Sequence, residues 1–429
     1  MDARLQRRYW QLVRCHMNSP QKLACGPKAL PEVCQSFATT QALWRFLANP
    51  KVSLPQLVAP LRALGCKGAQ ESSSAYVLLV HDWSKLSYAK HASKVDQAVL
   101  THEGNVGYEM YTALLVDAAQ GNPLAPMELN LLSAQGIHTT RRQTRLKRTH
   151  HLNQILPTMK AARKWEIPRQ IVHVIDSEAD SQVDFRSWSA EGELFLVRGD
   201  FTRHVTWNGV SFPLPELAQT WQDQQRFRDA GTVSIRGTTG TRQIAHGDIL
   251  LTTPARKRTS AGRIKVTGGP LKLRLVISRI LGVDSEVLAE WFLLTNVPDD
   301  ISEVTIADWY YWRWRIESYH KLLKSGGQQL ESWQQESATA IAKRLLIASM
   351  VCVSAWQLQA QQTPESRECQ QFLVKLSGRQ MKRSRPVTTS ALIAGLQLLF
   401  PMLELLEHHS PSELRRLAQL AVPHLHPSG

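Results

Sequence analysis

Four consecutive apolar residues, Val77–Val80, followed at once by His81 and Asp82, restrict the fold more than any other stretch of the chain. A run this short and this rich in Val and Leu reads as a strand buried on both faces, and such strands belong to sheets covered by helices. Tyr76–Val80 is thus the first of a set. Tyr108–Val116 and Met127–Leu132 follow as the second and third strands of a meander, and His151–Lys164 carries apolar residues at helical intervals despite Pro157. Ile171–Ile175 and Leu194–Arg198 add two more strands. The order β-β-β-α-β-α-β predicts an α/β fold, a mixed sheet flanked by helices.

The flanks differ from this block. Residues 1–70 read as helical: Ala42, Leu43, Phe46 and Leu47 recur at helical spacing, Asn49-Pro50 ends that helix, and Ser53 with Pro55 opens a second over Gln56–Leu64. A Gly/Ser-rich connector is expected over Gly65–Ser74. Between 201 and 290, Gly, Thr, Arg and alternating residues predict an inserted, mainly β module with one helix over Leu214–Phe227, and Trp291–Thr295 is its exit strand. Tyr310–Lys324 and Ala340–Gln359 read as helices, and the tail after 361 is helical with interruptions near Pro364 and Ser384–Pro386. The expected division is 1–70, 71–200, 201–290, 291–360 and 361–429.

The 429 residues carry 51 Lys and Arg against 36 Asp and Glu, a net charge of +15. The excess is uneven, since residues 1–70 hold ten Lys or Arg and only two acids, Asp2 and Glu32. Further runs are Arg141, Arg142, Arg145, Lys147 and Arg148, leading into His150 and His151; Arg256, Lys257, Arg258, Arg263 and Lys265; and Arg379, Lys382, Arg383 and Arg385. Four basic clusters favour a polyanionic partner, most simply nucleic acid. The six cysteines include no C-x-x-C pair and complete no zinc spacing, which argues against a disulfide scaffold or zinc finger. Leu345–Trp356 and Leu392–Leu406 fall short of the ~18 apolar residues of a membrane span, and no apolar run follows the basic N-terminus. An intracellular chain with no membrane partner is expected.

Two acids follow strands directly. Asp82 and Asp176 each lie where an apolar strand ends, the usual edge of a binding cleft in such sheets. Taken alone, each is as readily a turn or helix cap, and Asp180 and Glu178 rival Asp176. In the stretch DWYYWRWRIESYHKLLKSG, Tyr310, Arg313, Glu317, Lys321 and Lys324 fall within roughly an 80° arc of one helix, with Trp312, Ile316 and Leu323 opposite. A solvated charged face would look the same. Three carboxylates from separate elements, however, can hold two Mg²⁺ ions, the donor set for in-line phosphodiester displacement, with neighbouring Arg and Lys gripping phosphates.

These residues resemble the bacterial cut-and-paste DDE transposases of the insertion sequence four family. That family's signature, Y-(2)-R-(3)-E-(6)-K, is matched by Tyr310, Arg313, Glu317 and Lys324, and HDWSKLSY with Asp82 and DSEAD with Asp176 look like its other two acidic motifs. LWRFLANPKVS and WFLLTNVP add weaker likeness. The resemblance implies an RNase H-like core split by the β-rich insertion, with Asp82, Asp176 and Glu317 as catalytic residues holding two Mg²⁺, for which Mn²⁺ could substitute. It implies an N-terminal domain that binds the element's ends, a helical C-terminal region that pairs protomers, and a homodimer on DNA. Partners would be duplex DNA with terminal inverted repeats and target DNA, in a bacterial cytoplasm. Tyr310, Arg313, Lys321 and Lys324, with Arg198, would contact DNA, and Trp291 would stack on a flipped base. Hydrolysis, hairpin formation and strand transfer would share one site. The alternatives are an RNase H-like nuclease without strand transfer and a catalytically silent DNA-binding inhibitor.

Overall fold

The computed structural model describes residues 1–18, 37–100, 104–235, 237–252, 255–259, 262–266, 268–379 and 387–421. Lys382, Arg383 and Arg385 of the last basic cluster lie outside them. Three helices come first: α1 (Ala3–Asn18), α2 (Phe37–Ala48) and α3 (Leu54–Glu71). Ser53 and Gln56 form a reciprocal capping box at the start of α3. This helix runs through the expected Gly65–Ser74 connector as far as Glu71. Gly65 and Gly68 are there for packing: a Cβ on Gly65 would stand 2.7 Å from the Met127 sulfur, and one on Gly68 2.9 Å from a Leu124 methyl. Both glycines let α3 lie close against the sheet, at a helix-propensity cost of about 1 kcal/mol each.

The strands β1 (Tyr76–Ser87), β2 (Ala98–Val99), β3 (Val106–Asp117), β4 (Pro123–Ser133) and β5 (Gly136–Thr139) precede α4 (Ile155–Ala162). Then come β6 (Gln170–Ile175), α5 (Gln182–Ala190) and β7 (Leu194–Arg198). The β-rich segment holds β8 (His204–Trp207), β9 (Val210–Pro213), α6 (Leu214–Asp223), β10 (Arg228–Ile235) and β11 (Thr238–Leu251). It continues through the hairpin β12 (Ala255–Thr259) and β13 (Gly262–Val266), then β14 (Leu271–Leu281) and β15 (Val287–Thr295). Helices close the chain: α7 (Glu303–Tyr311), α8 (Trp314–Lys321), α9 (Ala338–Ala360), α10 (Pro364–Leu376), α11 (Thr389–His408) and α12 (Pro411–Ala421).

One sheet runs in the order β5-β4-β3-β1-β6-β7-β15-β14-β11-β8-β9. β1–β6 and β6–β7 are parallel; the other pairs along it are antiparallel. This is the expected mixed sheet with helical ends, consistent with an RNase H-like fold. The β-rich segment continues this sheet: β15 pairs with β7 and carries β14 and β11 onto the same ladder.

β1 extends past the expected end at Val80. On one side it pairs with β3 as far as Ser87 opposite Gly107, whereas on the other its last pair with β6 is Val80 opposite Val174. Asp82 therefore sits within the strand, opposite Thr112. Asp82 and Asp176 each lie two residues beyond that last parallel pair, which brings them to the same level where adjacent strands are about 4.8 Å apart.

The single helix expected over Tyr310–Lys324 is broken. α7 ends at Tyr311, α8 begins at Trp314, and Leu322–Gly326 forms a π-turn. Trp312 packs on Gly121, whose φ of +69° and missing Cβ leave room for the indole ring. Among the described residues, two helices, α9 and α11, are long and apolar enough to cross a bilayer; 83% of the apolar window of α9 is buried in the protein, so core packing accounts for its composition.

Candidate active site

The end of the sheet where β1 and β6 cease to pair is faced by α8 and gathers three carboxylates. Asp82 is supplied by β1, accepts the Trp83 backbone N–H at 2.8 Å, and lies 3.8 Å from Arg313 Nη1. Asp176 leaves β6 as the cap of the turn Ser177–Ala179, accepting the Glu178 N–H at 3.0 Å. Glu317, on α8, accepts Arg313 Nη2 at 2.6 Å. One buried guanidinium thus joins an acid on the sheet to an acid on the helix.

Burial pushes the Asp82 carboxyl up to about 6, helped by the charges of Asp176 and Glu317 and opposed by Arg313 and the Trp83 N–H. The charges of Asp176 and Glu317 both reach the Asp82 carboxyl, so the three side chains lie near one another. Arg313 is held above its usual range because Tyr310, Glu317 and Asp82 outweigh the burial that would lower it. The raised Asp82 carboxyl costs stability: below about pH 4 it is protonated in folded and unfolded chain alike, and between pH 4 and 6 only the unfolded chain gives up the proton. Stability is therefore lost as pH rises through that window and stays lost above it. Asp82→Asn should recover about 3 kcal/mol at pH 8 and little at about pH 3, read as the difference from the parent protein in denaturant melts without metal.

The remaining residues of the expected site divide. Tyr310 is 1% exposed, and its ring centroid lies 5.9 Å from the Arg313 guanidinium. Burial raises its phenol, with Arg313 and Arg198 acting in the opposite direction. Arg198, at the end of β7, donates to Ser177 Oγ at 2.9 Å and so braces the turn that begins at Asp176. Lys321 is exposed, whereas Lys324 donates to the Lys85 carbonyl and lies 3.6 Å from Glu331. The arc is thus not a plain solvated face: Tyr310 and Arg313 are buried, Glu317 and Lys324 are partly buried, and Lys321 faces water. Trp291 is 8% exposed and packs on Tyr310 and Tyr311, with centroids 5.8 and 6.4 Å away, so it offers no open stacking surface in this conformation.

Asp180 is engaged elsewhere. Its carboxylate lies 2.7 Å from Arg203 Nη2, accepts Arg203 Nε at 3.0 Å, and takes the Asp200 N–H at 2.8 Å. It fastens the start of the β-rich segment, leaving Asp176 as the acid nearer Asp82.

A second constellation went unnoticed in the sequence. His151 lies between Glu109, 3.2 Å from its Nδ1, and Glu178, 2.8 Å from its Nε2, and stacks on Trp83 at 4.2 Å. Burial lowers its pKa, but the two carboxylates more than offset this and leave it raised. His150 and His151 read only as the tail of a basic run, and nothing in the spacing ties them to Glu109 or Glu178.

Far along the chain, α1 and α2 enclose a cleft of about 510 Å³ lined by Arg4, Arg7, Arg8, Gln11, Arg45 and Asn49. Trp10 and Trp44 are exposed nearby in sequence. Four arginines around one opening give it a positively charged rim, the kind of surface that suits a polyanion. Residues 1–52 match the transposase DNA-binding family model. This match supports a transposase, a nucleic-acid-processing enzyme with DNA as its partner. It ends just before α3 begins at Leu54. The first of the helices it covers, α1, carries four arginines and no acid.

Proposed function

We propose that this chain is a Mg²⁺-dependent DNA transposase that excises and inserts an element by a cut-and-paste route, with Asp82, Asp176 and Glu317 as its catalytic acids. The observation that carries this is that Arg313 bridges Asp82 of β1 and Glu317 of α8, while Asp176 at the end of β6 lies close enough to Asp82 for its charge to act there. The donor set fits Mg²⁺: all ligand atoms are hard carboxylate oxygens, and Arg313 already supplies a positive charge where a cation would neutralise them. When bound, Mg²⁺ would supply electrophilic stabilisation for displacement at phosphorus.

The chain's own groups handle the DNA. Arg4, Arg7, Arg8 and Arg45 hold the element's end through phosphates; Arg198 and Lys321 border the acids and position the scissile phosphate. Arg313 turns from the acids to phosphate when DNA enters, and Tyr310 supports its new position through the ring face. Trp83 and the turn after Asp176 fix the two Asp side chains through backbone N–H groups.

The test is incubation of the full-length protein with duplex DNA carrying the sequences that flank its coding region. Mg²⁺-dependent nicking at the element's 3′ ends, followed by joining of those ends to target DNA, is expected. Nicking without joining would assign a nuclease. Binding with neither, in Mg²⁺ or Mn²⁺, would assign a silent DNA-binding inhibitor.

A further inference from the structure

Side chains alternate across β1, so Trp83 faces away from Asp82. On that opposite face His150, His151 and Glu178 each present one donor atom, and the three atoms lie within 4.8 Å of one another. A tetrahedral zinc ion with ligands at 2.0–2.1 Å spaces them about 3.3 Å apart, so a modest rotation of the exposed His150 side chain closes the set.

The supporting groups are in place. Glu109 lies 3.2 Å from His151 Nδ1, an arrangement that fixes the tautomer and leaves Nε2, 2.8 Å from Glu178, to act as ligand. The Trp83 indole N–H donates to the other Glu178 oxygen at 3.2 Å and orients that carboxylate. The Leu152 backbone N–H donates to His150 Nδ1 at 3.4 Å, which leaves Nε2 for an ion.

We propose that His150, His151 and Glu178 form a binding site for a divalent transition cation of zinc type, with Glu109 and Trp83 as its outer supports. Two imidazoles and one carboxylate suit Zn²⁺, Co²⁺ or Ni²⁺ and reject Mg²⁺, which takes oxygen ligands. This site is chemically separate from the all-carboxylate centre across the strand. The Glu178 N–H donates to the Asp176 carboxylate, so an ion here stiffens the turn that presents Asp176; that consequence alone rests on the proposed function.

The experiment uses the full chain, stripped with chelator and without DNA. Zn²⁺ is titrated calorimetrically, and Co²⁺ is followed by its visible absorption. One Zn²⁺ per chain is expected in the presence of millimolar Mg²⁺, with affinity falling at least ~10-fold in His150→Ala and in Glu178→Gln, and ~10-fold or more in Glu109→Gln. His150 is exposed, so its variant tests the site without threatening the fold; circular dichroism checks each protein. Absence of stoichiometric binding overturns the proposal, and so does binding that survives both His150→Ala and His151→Ala unchanged. Because no DNA is present, failure here leaves the transposase reading standing, and loss of that reading leaves the ion site standing.

Discussion

Asp176→Asn and Glu317→Gln are each expected to lower Mg²⁺-dependent cleavage of an end-bearing duplex by on the order of 10³-fold, with gel-shift binding of that duplex retained. Each substitution keeps the side chain's shape and removes the charge needed to hold a cation. Asp180→Asn serves as the contrast. Asp180 is buried and ion-paired with Arg203, so its loss strands a guanidinium and costs about 3 kcal/mol of stability. Its activity, measured well below its melting temperature, should stay close to that of the parent protein. Full cleavage by Asp176→Asn, together with a catalytic defect in well-folded Asp180→Asn, would exchange the roles of the two acids.

The second large effect concerns the arginine cleft. Combined Ala substitution of Arg4, Arg7, Arg8 and Arg45 should weaken end binding by on the order of 10²-fold at low salt and flatten the plot of log affinity against log salt by up to about 3.6, as four lost phosphate contacts require. Replacing the exposed Arg415 and Arg416 of α12 by Ala should change neither quantity. Equal losses from both sets of substitutions would mean that binding follows net charge and has no focus at the cleft. Deleting residues 1–70 is a poor substitute. Tyr9, Leu12, Phe46 and Leu57 belong to the same hydrophobic core as the sheet strands, and Lys343 of α9 donates to the carbonyls of Leu47 and Asn49. Truncation would open that core, and lost binding would report unfolding.

The strands were legible because a run such as Val77–Val80 has few other places to go than the middle of a sheet. Asp82 and Asp176 could be named from the same logic, since polarity begins where a parallel neighbour ends. Three things were hidden. The helix through Gly65 and Gly68 reads as a connector because glycine's propensity penalty is local, whereas the close approach to Met127 and Leu124 that rewards it comes from another part of the chain. The burial of Tyr310 and Arg313 is invisible to periodicity, because the groups that cover them, Trp291 against Tyr310 and Asp82 beside Arg313, come from distant parts of the chain. The His150–His151–Glu178 cluster is likewise a product of folding: its partner Glu109 arrives on β3 and Trp83 on β1, so adjacency in sequence carries no trace of it.

The continuity of the sheet from β7 into β15 has a mechanical consequence. A wing joined by a flexible linker can swivel freely, but one whose strands share a hydrogen-bonded ladder with its neighbours can rotate only by breaking backbone bonds. Force applied to the outlying ribbons is therefore transmitted across β7 to β6, the strand from which Asp176 emerges, and a load at the periphery becomes torque at the proposed catalytic acids.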